Sequence, residues 1–153
     1  KYLKIYNNIY KMTENQFQVK LNYQDSQPPT RGSDEAAGYD LYSYESETVA
    51  PNQNKLIDTG ISIKVPEGTY GRIAPRSGVS KKGILINAGV IDRDYRGPVK
   101  IMVHNLSSND YVINKNDRIA QLILEQIKTP PMELVEELDD TVRGEGGFGS
   151  TGA

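Results

Sequence analysis

Gly89-Val90-Ile91-Asp92-Arg93-Asp94-Tyr95-Arg96-Gly97 stands directly before an alternating apolar pattern at Val99, Ile101 and Val103. Two carboxylates and a tyrosine lie between glycines that favour turns, and apolar residues at every second position are typical of a strand with one buried face. We therefore expect a β-hairpin whose tip, residues 89–97, carries polar chemistry.

Short strand patterns recur through the rest of the chain. They lie at 17–21, 36–43, 56–65, 70–74, 84–86, 111–113 and 118–127, and a final strand is expected within 133–140. Fourteen glycines and eight prolines punctuate the chain, as many short strands with tight turns require. No stretch has the periodicity and caps of an amphipathic helix. The pattern predicts an all-β sandwich or barrel.

The composition excludes several classes of protein. A chain of 153 residues is long enough for one domain with a hydrophobic core and short for two. A net charge of -2 gives no electrostatic footprint for nucleic acid or an anionic membrane, and no apolar run approaches the roughly 20 residues of a membrane span. One histidine and no cysteine leave acid–base chemistry to carboxylates. The lack of cysteine fits a reducing compartment, so we expect an intracellular protein, cytoplasmic or nuclear, with a mitochondrial form equally compatible.

Three segments differ in composition. Residues 1–16 are polar and lack the apolar core of a secretory signal, so we expect an N-terminal tail that is disordered or a remnant of targeting or cloning. Residues 17–142 are expected to form the β domain. Residues 143–153 contain five glycines and are expected to form a flexible arm that buries too little apolar surface to order itself. Phe148 lies in this arm, which is either a plain tail or a segment whose ring stacks on a ligand.

Four features of the β domain suit chemistry, and each has a structural alternative. Pro75-Arg76-Ser77-Gly78 combines a planar cation, a hydroxyl and a glycine, which fits either a phosphate site or an ordinary surface turn. Asp92, next to apolar Ile91, suits a base for a water molecule, or a solvated turn. Tyr95 suits a packed strand residue or a platform under a ring equally well. Gln121 interrupts an apolar run and needs partners, in the core, at an interface or on a ligand.

Five segments occur in an order and spacing shared with a known family. They are Ala36-Ala37-Gly38-Tyr39-Asp40, Pro75-Arg76-Ser77-Gly78, the stretch 89–97, Arg118-Ile119-Ala120-Gln121-Leu122 and the Gly-rich stretch 143–152. Each is weakly specific alone, but together they resemble the ordered motifs of the trimeric dUTPases (deoxyuridine triphosphate nucleotidohydrolases). The resemblance extends from about Phe17 to the C-terminus.

The resemblance implies an all-β, jelly-roll-like fold, a distorted barrel or sandwich, in a homotrimer with an extended C-terminal arm. It implies hydrolysis of dUTP to dUMP and pyrophosphate with Mg²⁺, which keeps uracil out of DNA and supplies dUMP for thymidylate synthesis. Each active site is then assembled from three subunits, with the arm of one closing over a site made by the other two.

The resemblance also implies residue roles. Asp92 resembles the general base for a water that attacks the α-phosphorus, and Tyr95 the ring under the deoxyribose. The backbone that pairs with uracil corresponds to Asn87, Gly89, Val90 and Ile91. The phosphate contacts correspond to Arg76, Ser77, Gly78 and Gln121. The arm residues over the base and terminal phosphate correspond to Arg143, Phe148, Gly149, Ser150 and Thr151. Asp40 resembles an outer ligand that reaches the metal through water.

Two other functions remain open at the level of the sequence. A dCTP deaminase of the same superfamily needs a further acid–base carboxylate at the pyrimidine ring, which the sequence does not assign. A catalytically silent, nucleotide-gated binding trimer needs no base at all. The intact Asp92 and the Phe-bearing arm favour the hydrolase over both.

Overall fold

The computed structural model describes residues 16–147, in which strands predominate. The strands are β1 (Gln18–Leu21), β2 (Thr30–Arg31), β3 (Tyr39–Tyr42), β4 (Glu47–Val49), β5 (Asn54–Lys64), β6 (Thr69–Pro75), β7 (Ile84–Asn87), β8 (Val90–Ile91), β9 (Pro98–Asn105), β10 (Tyr111–Ile113) and β11 (Arg118–Gln126). A single turn of helix, α1 (Ser77–Ser80), lies between β6 and β7. Within residues 16–147, no helix has the length and apolarity needed to cross a membrane.

The strands form two main sheets and one small one, and all neighbouring strands are antiparallel. The first sheet has the order β1-β5-β9-β7, the second has the order β2-β3-β11-β6-β8, and β10 pairs with β4 alone. Both main sheets keep two edge strands in the described part of the chain, so they form a sandwich and not a closed barrel. This architecture confirms the expected all-β, jelly-roll-like fold.

The hydrophobic core lies between the sheets, as the period-two patterns predict. In β9, Val99, Ile101 and Val103 are buried, whereas Lys100 points outward. Ile101 is opposite Ile57 of β5 in the register, and the side chains of both are fully buried. Full burial of such a side chain stabilises the fold by roughly 1.5–3 kcal/mol, so the alternation in β9 anchors the segment that precedes it.

The stretch 89–97 differs from the expected hairpin tip. Its flanking strands β7 and β9 do pair as hairpin arms, with Asn87 opposite Met102. The connection between them, however, contributes β8 to the other sheet, where Ile91 pairs with Gly71 of β6. Because Ile91 is buried in the core, this connection is fixed to both sheets and bridges them. A simple tip would project into solvent instead.

The final strand expected within 133–140 is absent from the structure, which has no regular ladder after Gln126 in its described part. The segment 127–147 pairs with no strand in the described part of the chain, and its large apolar side chains are exposed. Met132, Leu134 and Leu138 have relative exposures of 84%, 87% and 86%. Within residues 16–147, the apolar side chains of this segment therefore have no strand to cover them.

Candidate active site

Strand β11 lies at the centre of the second sheet and aligns two of the predicted site segments. Gln121 is opposite Asp40 of β3 on one side and opposite Ala74 of β6 on the other. The chain leaves β6 at Pro75 and continues directly into Arg76. The register therefore brings three sequence-distant predicted site residues, Asp40, Arg76 and Gln121, to one end of this sheet.

The Asp40 carboxylate joins two arginines at this end. Arg76 Nε lies 2.9 Å from Asp40 Oδ1, and Arg118 Nη1 lies 3.3 Å from Asp40 Oδ2. Arg76 Nη1 also donates to the Arg118 carbonyl at 2.8 Å. The Asp40 side chain is 14% exposed, so water screens the Arg76 pair less than it would screen a surface ion pair. Asp40 thus orients the guanidinium of Arg76 at the edge of a cavity.

Gln121 is satisfied by the backbone of the same segment. Its Nε2 donates to the Pro75 carbonyl at 2.9 Å. Gly38 of the neighbouring segment has no Cβ at this point, and an added one would lie 2.7 Å from Gln121 Oε1. The amide therefore packs tightly against residue 38 and ties the start of the Arg76 segment to β11.

A polar cavity of about 590 Å³ opens beside this network. It is lined by Arg76, Ser77, Gly78, Val79, Lys82, Tyr111, Asp117 and Arg118. The predicted phosphate-binding residues of the 75–78 segment therefore lie together, with two further cations that the sequence prediction did not include. Such a concentration of arginine and lysine suits phosphate oxygens.

The two missed cations are held by aromatic and carboxylate neighbours. Lys82 Nζ lies 5.8 Å from the Tyr111 ring centroid, a cation–π geometry, and Arg118 contacts Asp40. Burial of the Tyr111 hydroxyl raises its pKa, and the negative charge of Asp117 adds to this effect. Both pairings join residues far apart in sequence, and no local pattern signals them.

A second, more apolar cavity of about 480 Å³ contains the predicted base. It is lined by Leu56, Ile73, Ala88, Val90, Ile91, Asp92, Tyr95, Pro98, Val99 and Lys100. The Asp92 carboxylate and the Tyr95 ring therefore share one apolar cavity. The sequence did not predict Leu56 and Lys100 as lining residues. They lie on the outward faces of β5 and β9, and the strand pattern indicates only that such side chains are exposed.

Gly89 positions the backbone that forms one wall of this cavity. Its carbonyl accepts a hydrogen bond from Ile73 N at 2.7 Å. A Cβ on residue 89 would lie 2.4 Å from the Ile73 carbonyl oxygen, which is closer than any side chain tolerates. Ala88 has a φ of 46°, in the left-handed region. Residues 88–91 are thus held in a close approach that only glycine at position 89 permits.

The Tyr95 ring is folded over Gly97. Tyr95 donates its hydroxyl proton to the Pro98 carbonyl at 3.1 Å, and a Cβ on residue 97 would lie 2.6 Å from the Tyr95 Cζ. The ring is therefore pinned at its far end, although it remains partly exposed. A pinned, partly exposed ring suits a platform under a ligand ring more than a packed strand residue.

Seven of the predicted site residues line the two cavities, which share no lining residue in the described chain. Asp40 and Gln121 line neither cavity and contact the Arg76 segment instead. Asn87 and Gly89 adjoin the Asp92 cavity without lining it. Arg143 is exposed and lines neither cavity, and its Nε donates to the Gly146 carbonyl at 2.8 Å. The predicted arm residues at positions 148–151 lie outside the described residues. Residues 16–147 contain no group of three or more histidine, cysteine or carboxylate side chains that would hold a metal.

Known proteins resemble this chain in sequence and in fold. The dUTPase family model matches residues 24–152. A deoxyuridine 5'-triphosphate nucleotidohydrolase of Paramecium bursaria Chlorella virus 1 is 57% identical and covers 88% of this chain and 96% of its own. The Arabidopsis thaliana protein of that name is 54% identical and covers 89% of this chain and 82% of its own.

Solved structures agree with these sequence matches. The Staphylococcus bacteriophage 80alpha dUTPase with dUPNHPP has a TM-score of 0.84 and 34% identity, covering 91% of this chain and 99% of its own. A mutant dUTPase from phage phi11 of S. aureus, described with a coordinated structural Mg(II) ion, has a TM-score of 0.77 and 30% identity, covering 82% and 100%. With a family model over most of its length and relatives of this similarity, the chain belongs to the dUTPase family.

Proposed function

We propose that the protein is a dUTP diphosphatase, which hydrolyses dUTP to dUMP and pyrophosphate and so supplies dUMP for thymidylate synthesis and keeps uracil out of DNA. The observation that carries the proposal is the pair of cavities. One is lined by three cations, with Ser77, Gly78 and a single carboxylate, Asp117. The other is mainly apolar, with Asp92, Lys100 and the pinned Tyr95 ring. A nucleoside triphosphate has an anionic phosphate end that suits the first cavity and a nucleoside end that suits the second. This substrate occurs wherever DNA precursors are made, in the cytoplasm, nucleus or mitochondrion.

Asp92 is the general base in this proposal. Its carboxylate removes a proton from a water molecule, whose oxygen attacks the α-phosphorus. The bond between the α-phosphorus and the oxygen bridging to the β-phosphate breaks, and pyrophosphate leaves. Asp92 lies on the cavity wall at the end of β8, which lets it face both a bound nucleoside and a water molecule.

The apolar cavity recognises the nucleoside. Backbone groups of Asn87, Gly89, Val90 and Ile91 pair with the uracil edge, and the Tyr95 ring lies under the deoxyribose. The close packing of residue 89 on Ile73 supports this assignment, since it fixes the backbone before any ligand binds. A ring pinned to Pro98 leaves little space for a 2′-hydroxyl.

The cationic cavity binds the phosphates through Arg76, Ser77 and Gly78, with Gln121 behind them. Charge-assisted hydrogen bonds from a guanidinium are the strong kind for this purpose. The arm completes the site, with Phe148 over uracil and Arg143, Gly149, Ser150 and Thr151 at the terminal phosphate. The roles of residues 148–151 rest on the family resemblance, and closure of the arm would exclude bulk water.

Mg²⁺ is the cofactor in this proposal, and the donor set of the chain fits it in one way. Both Asp40 oxygens already contact arginines, so Asp40 reaches the ion through water. Mg²⁺ retains waters and takes oxygen ligands from substrate phosphates readily, which suits described residues without a carboxylate cluster. When bound, the ion neutralises charge on the phosphates.

A homotrimer with shared sites accounts for two further observations. The two cavities have no lining residue in common, and Met132, Leu134 and Leu138 are largely exposed in the segment after β11. Exposed apolar side chains in one segment indicate a covering partner. We therefore propose that the cationic cavity of one subunit faces the Asp92 cavity of another, and that this segment leads the arm across the neighbouring subunits. A mass measurement in solution tests the trimer directly.

A substrate panel tests the activity. The protein is incubated with dUTP, dCTP, dTTP or UTP and Mg²⁺, and both pyrophosphate and ammonia are measured. We expect pyrophosphate from dUTP, far less from the other three, and no ammonia. Ammonia from dCTP would identify a deaminase instead. Tight binding of dUTP without turnover would leave the non-catalytic binding trimer as the function.

A further inference from the structure

The loop that carries Asp92 and Tyr95 has little support from strands. Strand β8 ends at Ile91, and β9 begins at Pro98 in the other sheet. Between them, Tyr95 N donates to the Asp92 carbonyl at 3.1 Å, which closes one turn. The backbone thus supplies one hydrogen bond inside the turn, and the side chain of Arg96 supplies two more.

Arg96 provides two of these hydrogen bonds from a single nitrogen. Its Nη1 donates to the Arg93 carbonyl at 2.7 Å and to the Tyr95 carbonyl at 2.8 Å. Both carbonyls belong to the turn, so the guanidinium joins its two sides. Hydrogen bonds from a charged donor are shorter and roughly twice as strong as neutral ones.

Arg96 acts from outside the Asp92 cavity. It does not line that cavity. It lines two other surface depressions instead, one with Lys20 and Lys64 and the other with Lys64, Arg93 and Asp94. Its side chain therefore influences the cavity through the loop backbone.

We propose that Arg96 is a positioning residue for the hydrolysis of dUTP, and this inference rests on the function proposed above. By holding the carbonyls of residues 93 and 95, it fixes the turn that aims the Asp92 carboxylate into the cavity. It also fixes the backbone from which the Tyr95 ring projects. Loss of these two bonds lets both groups move by a fraction of an ångström or more, which is enough to slow a reaction that depends on orientation.

The neighbouring Arg93 offers a matched control. Its guanidinium lies 3.9 Å from the Glu67 carboxylate, with both side chains substantially exposed. A pair of this kind contributes about 0–1 kcal/mol. Its carbonyl, which accepts from Arg96, is retained when the side chain changes. Arg93→Met thus removes the same charge from the same loop while leaving the two Arg96 bonds in place.

The experiment compares Arg96→Met, Arg96→Lys and Arg93→Met with the unsubstituted protein. We expect Arg96→Met to lower kcat by about tenfold or more, to narrow the preference for dUTP over UTP and to speed hydrogen exchange at the Tyr95 amide. Its Tm should change little, because the side chain is exposed. Arg96→Lys should recover part of the activity, since an ammonium can donate to at least one of the carbonyls. Arg93→Met should match the unsubstituted protein in all these measurements.

Two results would overturn the proposal. One is Arg96→Met with kcat, dUTP/UTP preference and Tyr95 exchange unchanged. The other is an equal loss in Arg93→Met, which would assign the effect to the charge of the loop. If the unsubstituted protein releases no pyrophosphate from dUTP, the proposed function fails, while the exchange rate at Tyr95 still decides whether Arg96 holds the turn.

Discussion

Replacing Gly89 with alanine tests whether the wall of the Asp92 cavity depends on a backbone approach that no side chain permits. The added Cβ would lie 2.4 Å from the Ile73 carbonyl oxygen, whereas ordinary contacts begin near 3.4 Å. Residues 88–91 must therefore move by about 1 Å relative to β6. This movement stretches or breaks the 2.7 Å hydrogen bond from Ile73 N to the Gly89 carbonyl.

The expected loss of stability has two contributions, the overpacking by the added Cβ and the loss of the hydrogen bond. Overpacking of this kind costs about 1–3 kcal/mol, and the lost hydrogen bond adds about 1 kcal/mol. A domain of this size loses roughly 2–4 °C in Tm for each kcal/mol, so we expect Gly89→Ala to melt about 5–15 °C lower. Because the displaced backbone leads directly to Asp92, kcat/KM for dUTP should fall by about a hundredfold.

The assay is thermal unfolding by circular dichroism at one fixed protein concentration, combined with steady-state hydrolysis of dUTP. Fixed concentration matters, because association makes Tm concentration-dependent. Gly32→Ala is the control, since a Cβ at residue 32 would have no atom within 4 Å. If Gly89→Ala melted within about 1 °C of Gly32→Ala and retained full activity, the argument from close approach would be wrong.

Three other predictions concern the base, the arm and an acid-sensitive pair. Asp92→Asn should abolish turnover while leaving dUTP binding largely intact by calorimetry, whereas Asp94→Asn in the same loop should retain activity; lost binding with retained turnover would contradict the role of Asp92. Deletion of the residues after Val142 should reduce activity severely without lowering Tm or dissociating the trimer, and normal turnover by the shortened protein would refute arm closure. The hydrogen bond from Tyr70, followed by that from Arg72, lowers the pKa of Glu125 below its ordinary value of 4.5. The ionised carboxylate therefore stabilises the fold fully at pH values above 4.5. This stabilisation is lost as the pH falls through the lowered pKa. Glu125→Gln should therefore lower Tm at pH 7 and converge with the unsubstituted protein in acid, and a Tm difference that stayed constant with pH would contradict this.

Strand periodicity predicted most of the strands, including the three-residue β10, and missed β2, β4 and β8. The alternation at 99–103 identifies β9, which has a buried and an exposed face. The alternation at 61–65 identifies the end of β5, although Ser62 of the polar face is buried there as well as Ile61 and Ile63. Strands β2 and β8 have two residues each, which is too few for a period to appear. The assignment of β8 to the second sheet depends on the burial of Ile91 against β6, a tertiary contact that no local pattern reveals.

The sequence named candidate site residues, but it did not predict which of their side chains contact one another. The family resemblance predicted Asp40, Arg76 and Asp92 as site residues. The ion pair between Asp40 and Arg76 arises from the register of β3, β11 and β6, which the sequence did not reveal. Gln121 was left open between a structural residue and a ligand contact, and its bond to the Pro75 carbonyl shows a structural use that the apolar run did not indicate. Lys82 and Lys100 line the cavities from positions that look like ordinary exposed residues.

The separation of the two cavities follows from the fold itself. Strand β11 gathers Asp40, Gln121 and the Arg76 segment at one end of the second sheet, whereas the Asp92 loop leaves β8 and crosses to the first sheet. The two cavities share no lining residue in the described chain, although strand β6 contributes Ile73 to the Asp92 cavity and leads directly into Arg76 of the other. In the homotrimer that we propose, a triphosphate that uses both cavities binds between copies of the chain. Assembly of that trimer then completes the site, and the bridging stretch 89–97 holds the proposed base Asp92 while lining no part of the phosphate cavity of its own subunit.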